Sequence, residues 1–197
     1  MLYCLSGDGA WVRRSDVLCG KLFLVKTAPI LETSRLQFFE FTEGDAPFVL
    51  ELLNEPAFIR DIGDKGVRTL EDARTYLQAG PLASYQKHGF GLYRVTSKLT
   101  GEAIGMCGLL KREVLEHPDL GYALLERYWF QGYAIEAAQA VMRHAHERLR
   151  LHEVLAITAL ENPASVRVLE KLGFTFRGVI PLAGFDAPSR LFAWHAT

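Results

Sequence analysis

The period of the hydrophobic pattern changes twice between residues 90 and 160, and this change restricts the fold more than any other feature. Three successive runs are strand-like: FGLYRVT at 90–96, EAIGMCGLL at 102–110 and DLGYALL at 119–125. From Gly132 onward, apolar residues recur at spacings of three and four, which predicts a long amphipathic helix. EVLAITAL at 153–160 then has the continuous apolar pattern of a buried strand. This alternation predicts a layered fold of helices on a mixed sheet.

The flanking segments extend this plan. SRLQFFEF at 34–41 predicts a first strand, and helices are predicted at 45–54 and 69–78, the second capped by Thr69 and Asp72 and ended by Gly80–Pro81. After the buried strand, we predict a helix at 163–172 and strands at 174–180 and 190–195.

These elements predict one domain over 31–197, of class α/β (α+β), with a mixed central sheet of about six to seven strands flanked by helices. Residues 1–30 have no clear period, and we treat them as an N-terminal extension of unknown role. Within it only KLFLV at 21–25 resembles a strand.

Composition excludes several classes of partner and site. The chain has 197 residues, 22 basic and 23 acidic, and no Lys/Arg-rich run, so we expect neither nucleic-acid nor membrane binding. No apolar run reaches the roughly 18 residues of a membrane span, and no signal peptide is recognisable. Cys4, Cys19 and Cys107 are odd in number and form no C-x-x-C pair, which indicates free thiols and a cytoplasmic location. His144 and His146 point to different sides of their helix, so we expect no metal site.

Gly132 stands where the long helix begins, within YWFQGYAIEA. A glycine at this point allows a ligand to approach the backbone, and the unpaired amides and partial positive charge of a helix start favour an anion. A helix that packs through small residues would explain Ala134, Ala137 and Ala138 equally well.

Two motifs together resemble a known family. WFQGYAIEA at 129–137 and NPASVRVLEKLGF at 162–174 are similar to the Gcn5-related N-acetyltransferase (GNAT) superfamily, in particular to the branch of the bacterial ribosomal-protein N-terminal acetyltransferases (RimJ/RimL-like). LETSRL at 31–36 and LGY at 120–122 also match this branch. The resemblance therefore covers most of the chain, from 31 to 180.

The resemblance implies that acetyl-CoA is the cosubstrate and that backbone groups bind it. The backbone of Leu124, at the end of its strand, would bind the pantetheine arm, and Asn162 would cap its helix or contact the coenzyme. The pyrophosphate would lie on the helix start, at Trp129, Phe130, Gln131, Gly132, Tyr133 and Ala134. Phe130 departs from the family pattern, which usually has glycine there.

The catalytic groups follow the family pattern less closely. Many GNAT proteins protonate the departing thiolate with a tyrosine, but Leu169 occupies that position, and the branch resemblance points to Ser165 instead. A helix-cap role for Ser165 is an open alternative. Asp119 is the candidate general base, with Glu116 and His117 as further candidates, and the alternative for each is a solvated charge at a strand entry. We assign Glu136 a structural role at the helix start.

We therefore predict an acetyl-CoA-dependent N-acetyltransferase that transfers the acetyl group directly to a primary amine, of a protein N-terminus or a small molecule. The alternative is a non-catalytic acyl-CoA-binding module of the same fold. The acceptor is expected among Phe58, Tyr76, Tyr85 and the final hairpin, where Gly184 replaces a glutamate of some relatives and Asp186 follows. Homodimer formation is left open. An acceptor with one amine should be preferred, unless four acids of the acceptor segment form a patch: Asp61, Asp64, Glu71 and Asp72.

Overall fold

The computed structural model describes residues 3–5, 11–13, 28–181 and 187–196. The strand-like run at 21–25 and the hairpin residues Gly184 and Asp186 lie outside these ranges. Two short N-terminal strands, β1 (Tyr3–Leu5) and β2 (Trp11–Arg13), pair antiparallel with each other.

The main sheet has eight strands in the order β3-β4-β5-β6-β7-β8-β10-β9. Their bounds are β3 (Leu31–Glu32), β4 (Leu36–Phe39), β5 (Leu92–Ser97), β6 (Ala103–Leu110), β7 (Asp119–Leu124), β8 (Glu153–Ala159), β9 (Thr175–Ile180) and β10 (Ser189–His195). All neighbouring strands are antiparallel except β7 and β8, which are parallel. The mixed sheet is confirmed, and its extra strand is β3, whose two residues are too short to produce a periodic pattern.

Helices cover both faces of this sheet. They are α1 (Ala46–Leu53), α2 (Pro56–Ile62), α3 (Leu70–Leu77), α4 (Ala83–His88), α5 (Tyr133–Glu147) and α6 (Pro163–Lys171). On one face, Leu52, Phe58 and Leu77 pack with Met106 and Ala123 of the sheet. On the other, the α5 and α6 cores include Val141 and Leu169, which pack with strand residues such as Leu120, Ala156 and Phe192. The predicted α/β architecture flanked by helices is confirmed.

The capping of α3 is confirmed, but its predicted end is wrong. Thr69 Oγ1 accepts the Asp72 amide at 3.1 Å, and the Asp72 carboxylate accepts the Thr69 amide at 2.9 Å. Beyond Leu77 the chain continues through a π-helical turn (Gln78–Leu82) into α4, and buried Pro81 lies inside that turn. The widened turn accommodates the missing proline amide, so the helix ends only at Gly89, where φ is +73°.

Within the described ranges, no helix is long and apolar enough to cross a membrane.

Candidate active site

The two parallel strands separate soon after they meet. β7 and β8 share one paired position, Asp119 with Leu155, and we call the space beyond it the β7–β8 gap. On its other edge β7 remains paired with β6, and the Leu125 amide bonds Ile104 O at 3.0 Å. Because bonding directions alternate along an antiparallel strand, the N–H and C=O of Leu124 point into the gap. The Leu124 carbonyl is not bonded to β6 and instead accepts a hydrogen bond from Trp129 Nε1 at 2.7 Å.

The start of α5 lies one short turn beyond β7. Gly132 precedes the helix in the left-handed region, at φ +79°, and makes no side-chain cap, so no side chain of that residue covers the first amides. The backbone of Phe130 is also in the left-handed region, at φ +58°, and Phe130 is 95% exposed. The family's usual glycine is explained by this conformation, which Phe130 adopts at an energetic cost.

An arginine that no sequence motif marks as functional lies beside this helix start. Arg35 Nη1 donates to Gln131 O at 3.0 Å, and its guanidinium carbon lies 4.4 Å from the Tyr133 ring centroid. A Cβ added at Gly132 would lie 3.4 Å from Arg35 Nη2. The only sequence signal for Arg35 was its place in LETSRL.

Glu136 anchors the chain before β4 to the first turn of α5. Its carboxylate accepts from Thr33 Oγ1 and from Arg35 Nε, each at 2.6 Å. Burial raises the pKa of Glu136, but the hydrogen bonds from Thr33 and Arg35 outweigh it, and the pKa lies below its ordinary value. These contacts give Glu136 a structural task that holds Arg35 at the helix start.

The start of α6 carries Ser165. The Asn162 side chain caps this helix, because its Oδ1 accepts the Ser165 amide at 2.9 Å. The helix cap is therefore Asn162 and not the Ser165 hydroxyl, which lies 2.7 Å from the Tyr122 hydroxyl. Leu169, at the family's usual tyrosine position, is buried in the core.

A tyrosine hydroxyl is present beside Ser165, but it belongs to Tyr122 of β7 and not to a residue of α6. Burial raises the pKa of Tyr122, which keeps the hydroxyl neutral and able to donate. In the sequence Tyr122 is recognisable only as part of LGY, because its contact with Ser165 joins residues 43 positions apart.

Asp119 lies at the closed end of the gap. It is 1% exposed, and Arg112 Nε approaches its two carboxylate oxygens at 3.0 and 3.1 Å. The alternative of a solvated strand-entry charge is therefore wrong for Asp119. Burial raises its pKa and the charge of Arg112 opposes that rise. His117 lies 3.4 Å from a Glu153 oxygen at the first residue of β8, away from the open end.

The open end of the gap carries a carboxylate that sequence reasoning did not consider. Glu55, the residue before α2, accepts the Glu126 amide through Oε2 at 2.9 Å. Glu126 comes two residues after the end of β7, while α2 itself lies against β8. Phe58 of α2 packs in one cluster with Ala123 of β7, so α2 lies on the face of the sheet opposite α5.

Of the residues predicted to line the acceptor side, Tyr85 has another role. Its hydroxyl accepts the Phe41 amide at 3.1 Å and also bonds Leu92 O, and its ring stacks on Tyr93. Phe58 is buried in the core cluster that contains Leu52 and Leu77, and Tyr76 packs against that cluster. These aromatics support the α1–α4 layer.

Neither a metal cluster nor a reactive thiol is found in the part of the chain that the structure describes with side chains. Over 28–181 and 187–196, no three His, Cys, Asp or Glu side chains are grouped to hold a metal ion. Cys107 is buried, and burial raises the pKa of its thiol.

Comparison with known proteins agrees with this geometry. Residues 35–175 match the model of the acetyltransferase (GNAT) domain. The uncharacterized N-acetyltransferase YoaA of Bacillus subtilis is 28% identical over 154 residues, which are 77% of this chain and 86% of that protein.

Solved structures share the fold. An acetyltransferase from Agrobacterium tumefaciens superposes with a TM-score of 0.73 at 26% identity, over 90% of this chain and 100% of that one. RimL, a ribosomal L7/L12 α-N-protein acetyltransferase solved with coenzyme A, has a TM-score of 0.72 at 21% identity, over 85% and 97% of the two chains. The chain belongs to the GNAT family of N-acetyltransferases.

Proposed function

We propose that this protein transfers an acetyl group from acetyl-CoA directly to a primary amine, without a covalent enzyme intermediate. The observation that carries the proposal is the β7–β8 gap, which has a helix start at one end and the Ser165 hydroxyl beside it. A strand end with inward-pointing backbone groups suits an arm that contains amides, and uncapped helix amides suit a pyrophosphate.

The residues present fit the coenzyme. The amides of 130–134 would bind the pyrophosphate, and Gly132 leaves open the space that a Cβ would fill beside Arg35. Leu124 would bond the pantetheine arm, while Trp129 holds the strand end through the Leu124 carbonyl. Asn162 fixes the backbone at Ser165.

The transfer itself needs a neutral amine and a proton for the leaving thiolate. As the amine nitrogen bonds to the acyl carbon, the carbon–sulfur bond breaks. We assign the thiolate's proton to Ser165, whose oxygen would accept a hydrogen bond from neutral Tyr122 during this step. Solvent then reprotonates Ser165.

The acceptor is proposed to carry one amine, such as a peptide N-terminus or an amino-acid-like metabolite. Polyamines require concentrated negative charge, and the four acids near the acceptor side are each engaged locally. Asp61 pairs with Arg60, Asp64 with Arg68 and Glu71 with Arg74, while Asp72 caps α3. Local pairing of this kind leaves little unbalanced charge for a polycation.

The test is thiol release from acetyl-CoA with a panel of a short peptide, amino acids, spermidine and an aminoglycoside, at low and high salt. Amine-dependent release, fastest with a single-amine acceptor, supports the proposal. A strong, salt-sensitive preference for spermidine would reverse the acceptor order. Coenzyme A binding without release for any amine would favour the acyl-CoA-binding module.

A further inference from the structure

We propose that Glu55 is the group that takes the proton from the acceptor amine, a role that rests on the acetyl transfer proposed above. The sequence candidates for this step were Asp119, Glu116 and His117. The fold instead brings a carboxylate from the α1–α2 junction to the open end of the β7–β8 gap.

The position of Glu55 follows from contacts on both sides of the gap. Its Oε2 is 2.9 Å from the Glu126 amide, just after the strand whose Leu124 backbone points into the gap. The helix that Glu55 precedes lies against β8. Ser165 and α5 occupy the opposite face of the sheet. An amine that enters from the α2 face meets Glu55, while the thiolate leaves toward Ser165.

Its surroundings also suit a proton acceptor. One oxygen of Glu55 is held by the Glu126 amide, which leaves the other oxygen for an amine or a water. Burial raises the pKa of Glu55, and the charges of Glu126 and Glu51 add to this effect, while the Glu126 amide and Arg127 oppose it. A carboxyl with a raised pKa is a stronger base once ionised.

Asp119 is a weaker candidate on the same grounds. Both of its oxygens face Arg112, and it lies at the position where β7 and β8 are still paired. A bound amine would have to displace that ion pair to reach it.

The chemical balance is simple. An ammonium acceptor first loses one proton to solvent, so the amine reacts in its neutral form. Glu55 then accepts a proton from the nitrogen, directly or through one water, as the nitrogen–carbon bond forms. The carboxylic acid then returns this proton to solvent on the acceptor side.

The decisive variant is Glu55→Gln, because the glutamine oxygen can still accept the Glu126 amide but cannot take a proton. With the best acceptor of the amine panel, we expect kcat/KM to fall by about 10²-fold and the acidic limb of its pH profile to disappear. Calorimetry should give the wild-type affinity for coenzyme A. Glu55→Asp should recover part of the rate.

Glu51→Gln is the matched control. It removes the same charge four positions earlier in the chain, in α1, from a side chain that pairs with Arg127 at 2.6 Å. Its rate should stay within about twofold of wild type, with the acidic limb moved slightly to lower pH because the charge of Glu51 raises the pKa of Glu55.

A second measurement needs no turnover. In the coenzyme-free protein, carbon-13 NMR of labelled glutamate should show one carboxyl titrating above the ordinary range, and Glu55→Gln should remove that signal. Full activity in Glu55→Gln, or an equal loss of coenzyme affinity, would overturn the assignment, because Glu55 would then only support Glu126. Absence of thiol release by the wild-type protein would instead remove the proposed function itself.

Discussion

The two sides of the β7–β8 gap are built in different ways. On the coenzyme side, most candidate groups come from two short continuous segments, 129–134 and 162–165, each at the start of a helix, and Leu124 lies only five positions before the first. On the acceptor side, Glu55 and the Glu126 amide that holds it are 71 positions apart in the chain. Binding of a shared cosubstrate can be encoded in one helix turn, whereas the acceptor side depends on how distant segments pack.

The largest expected effect on the coenzyme side is in Ser165→Ala. We expect kcat to fall by about 10²-fold with little change in coenzyme affinity, because only the departing thiolate needs this hydroxyl. Single-turnover kinetics and calorimetry measure the two quantities.

Tyr122→Phe provides the partner for that experiment. It should lower kcat less than Ser165→Ala, and the double variant should be no slower than Ser165→Ala alone, since the phenol acts through the serine. A fully active Ser165→Ala would mean that water or another group protonates the thiolate.

Gly132→Val should weaken coenzyme A binding by about tenfold or more, because a β-branched residue is strained at φ +79° and its side chain would fill the ligand approach beside Arg35. Gly89→Val is the control, since Gly89 has φ +73° and no atom within 4 Å of an added Cβ. It should carry a similar backbone strain and bind coenzyme normally. Unchanged affinity in Gly132→Val would remove the pyrophosphate assignment.

Asp119→Asn sharpens the contrast between the two acids. We expect turnover within about threefold of wild type, because the asparagine oxygen can still accept from Arg112 and Glu55 remains in place. A loss as large as that of Glu55→Gln would make Asp119 the base after all.

The stability of that variant should differ in its pH dependence. Since burial raises the pKa of Asp119 in the folded state, the folded protein binds this proton more tightly than the unfolded chain. Its contribution to stability is therefore present below the unfolded pKa and is lost as pH rises through the folded pKa. Urea unfolding of Asp119→Asn across this pH range should show no such loss of unfolding free energy as the pH rises.

The smallest effect is expected in Phe130→Gly. Relief of the left-handed backbone should stabilise the fold by about 0.5–1 kcal/mol, which corresponds to a rise in Tm of roughly 2 °C for a chain of this size. Arg150→Gly, also at φ +58° but outside both coenzyme motifs, should give a similar gain. A loss of coenzyme affinity in Phe130→Gly alone would show that the ring contacts the coenzyme.

Much of the fold could be predicted because its information is local. The meander β5–β7, the long helix after Gly132 and the capping box at Thr69 follow from period and capping chemistry. The strand β3 and the helix α2 are too short to produce a period. The chain passes Pro81 in a π-helical turn, so the Gly80–Pro81 pair, which predicts a helix end, does not end the helix here.

The site divides in the same way. The helix start at Gly132 can be predicted from a few neighbouring residues. The positions of Tyr122, Arg35 and Glu55 cannot, because they depend on contacts with residues far away in the chain. Asp119 was recognised as an acid before a strand, but its partner Arg112 comes from the loop after β6.

The single paired position between β7 and β8 also concerns the stability of the whole protein. No continuous ladder of hydrogen bonds joins strands β3–β7 to strands β8–β10. The two parts of the sheet are therefore held together by helix packing and, in the proposed function, by a coenzyme arm bound in the gap. By mass action a ligand at a hundredfold excess over its Kd adds about 2.7 kcal/mol to stability. The equilibrium stability of the folded chain would then rise and fall with the concentration of acetyl-CoA around it.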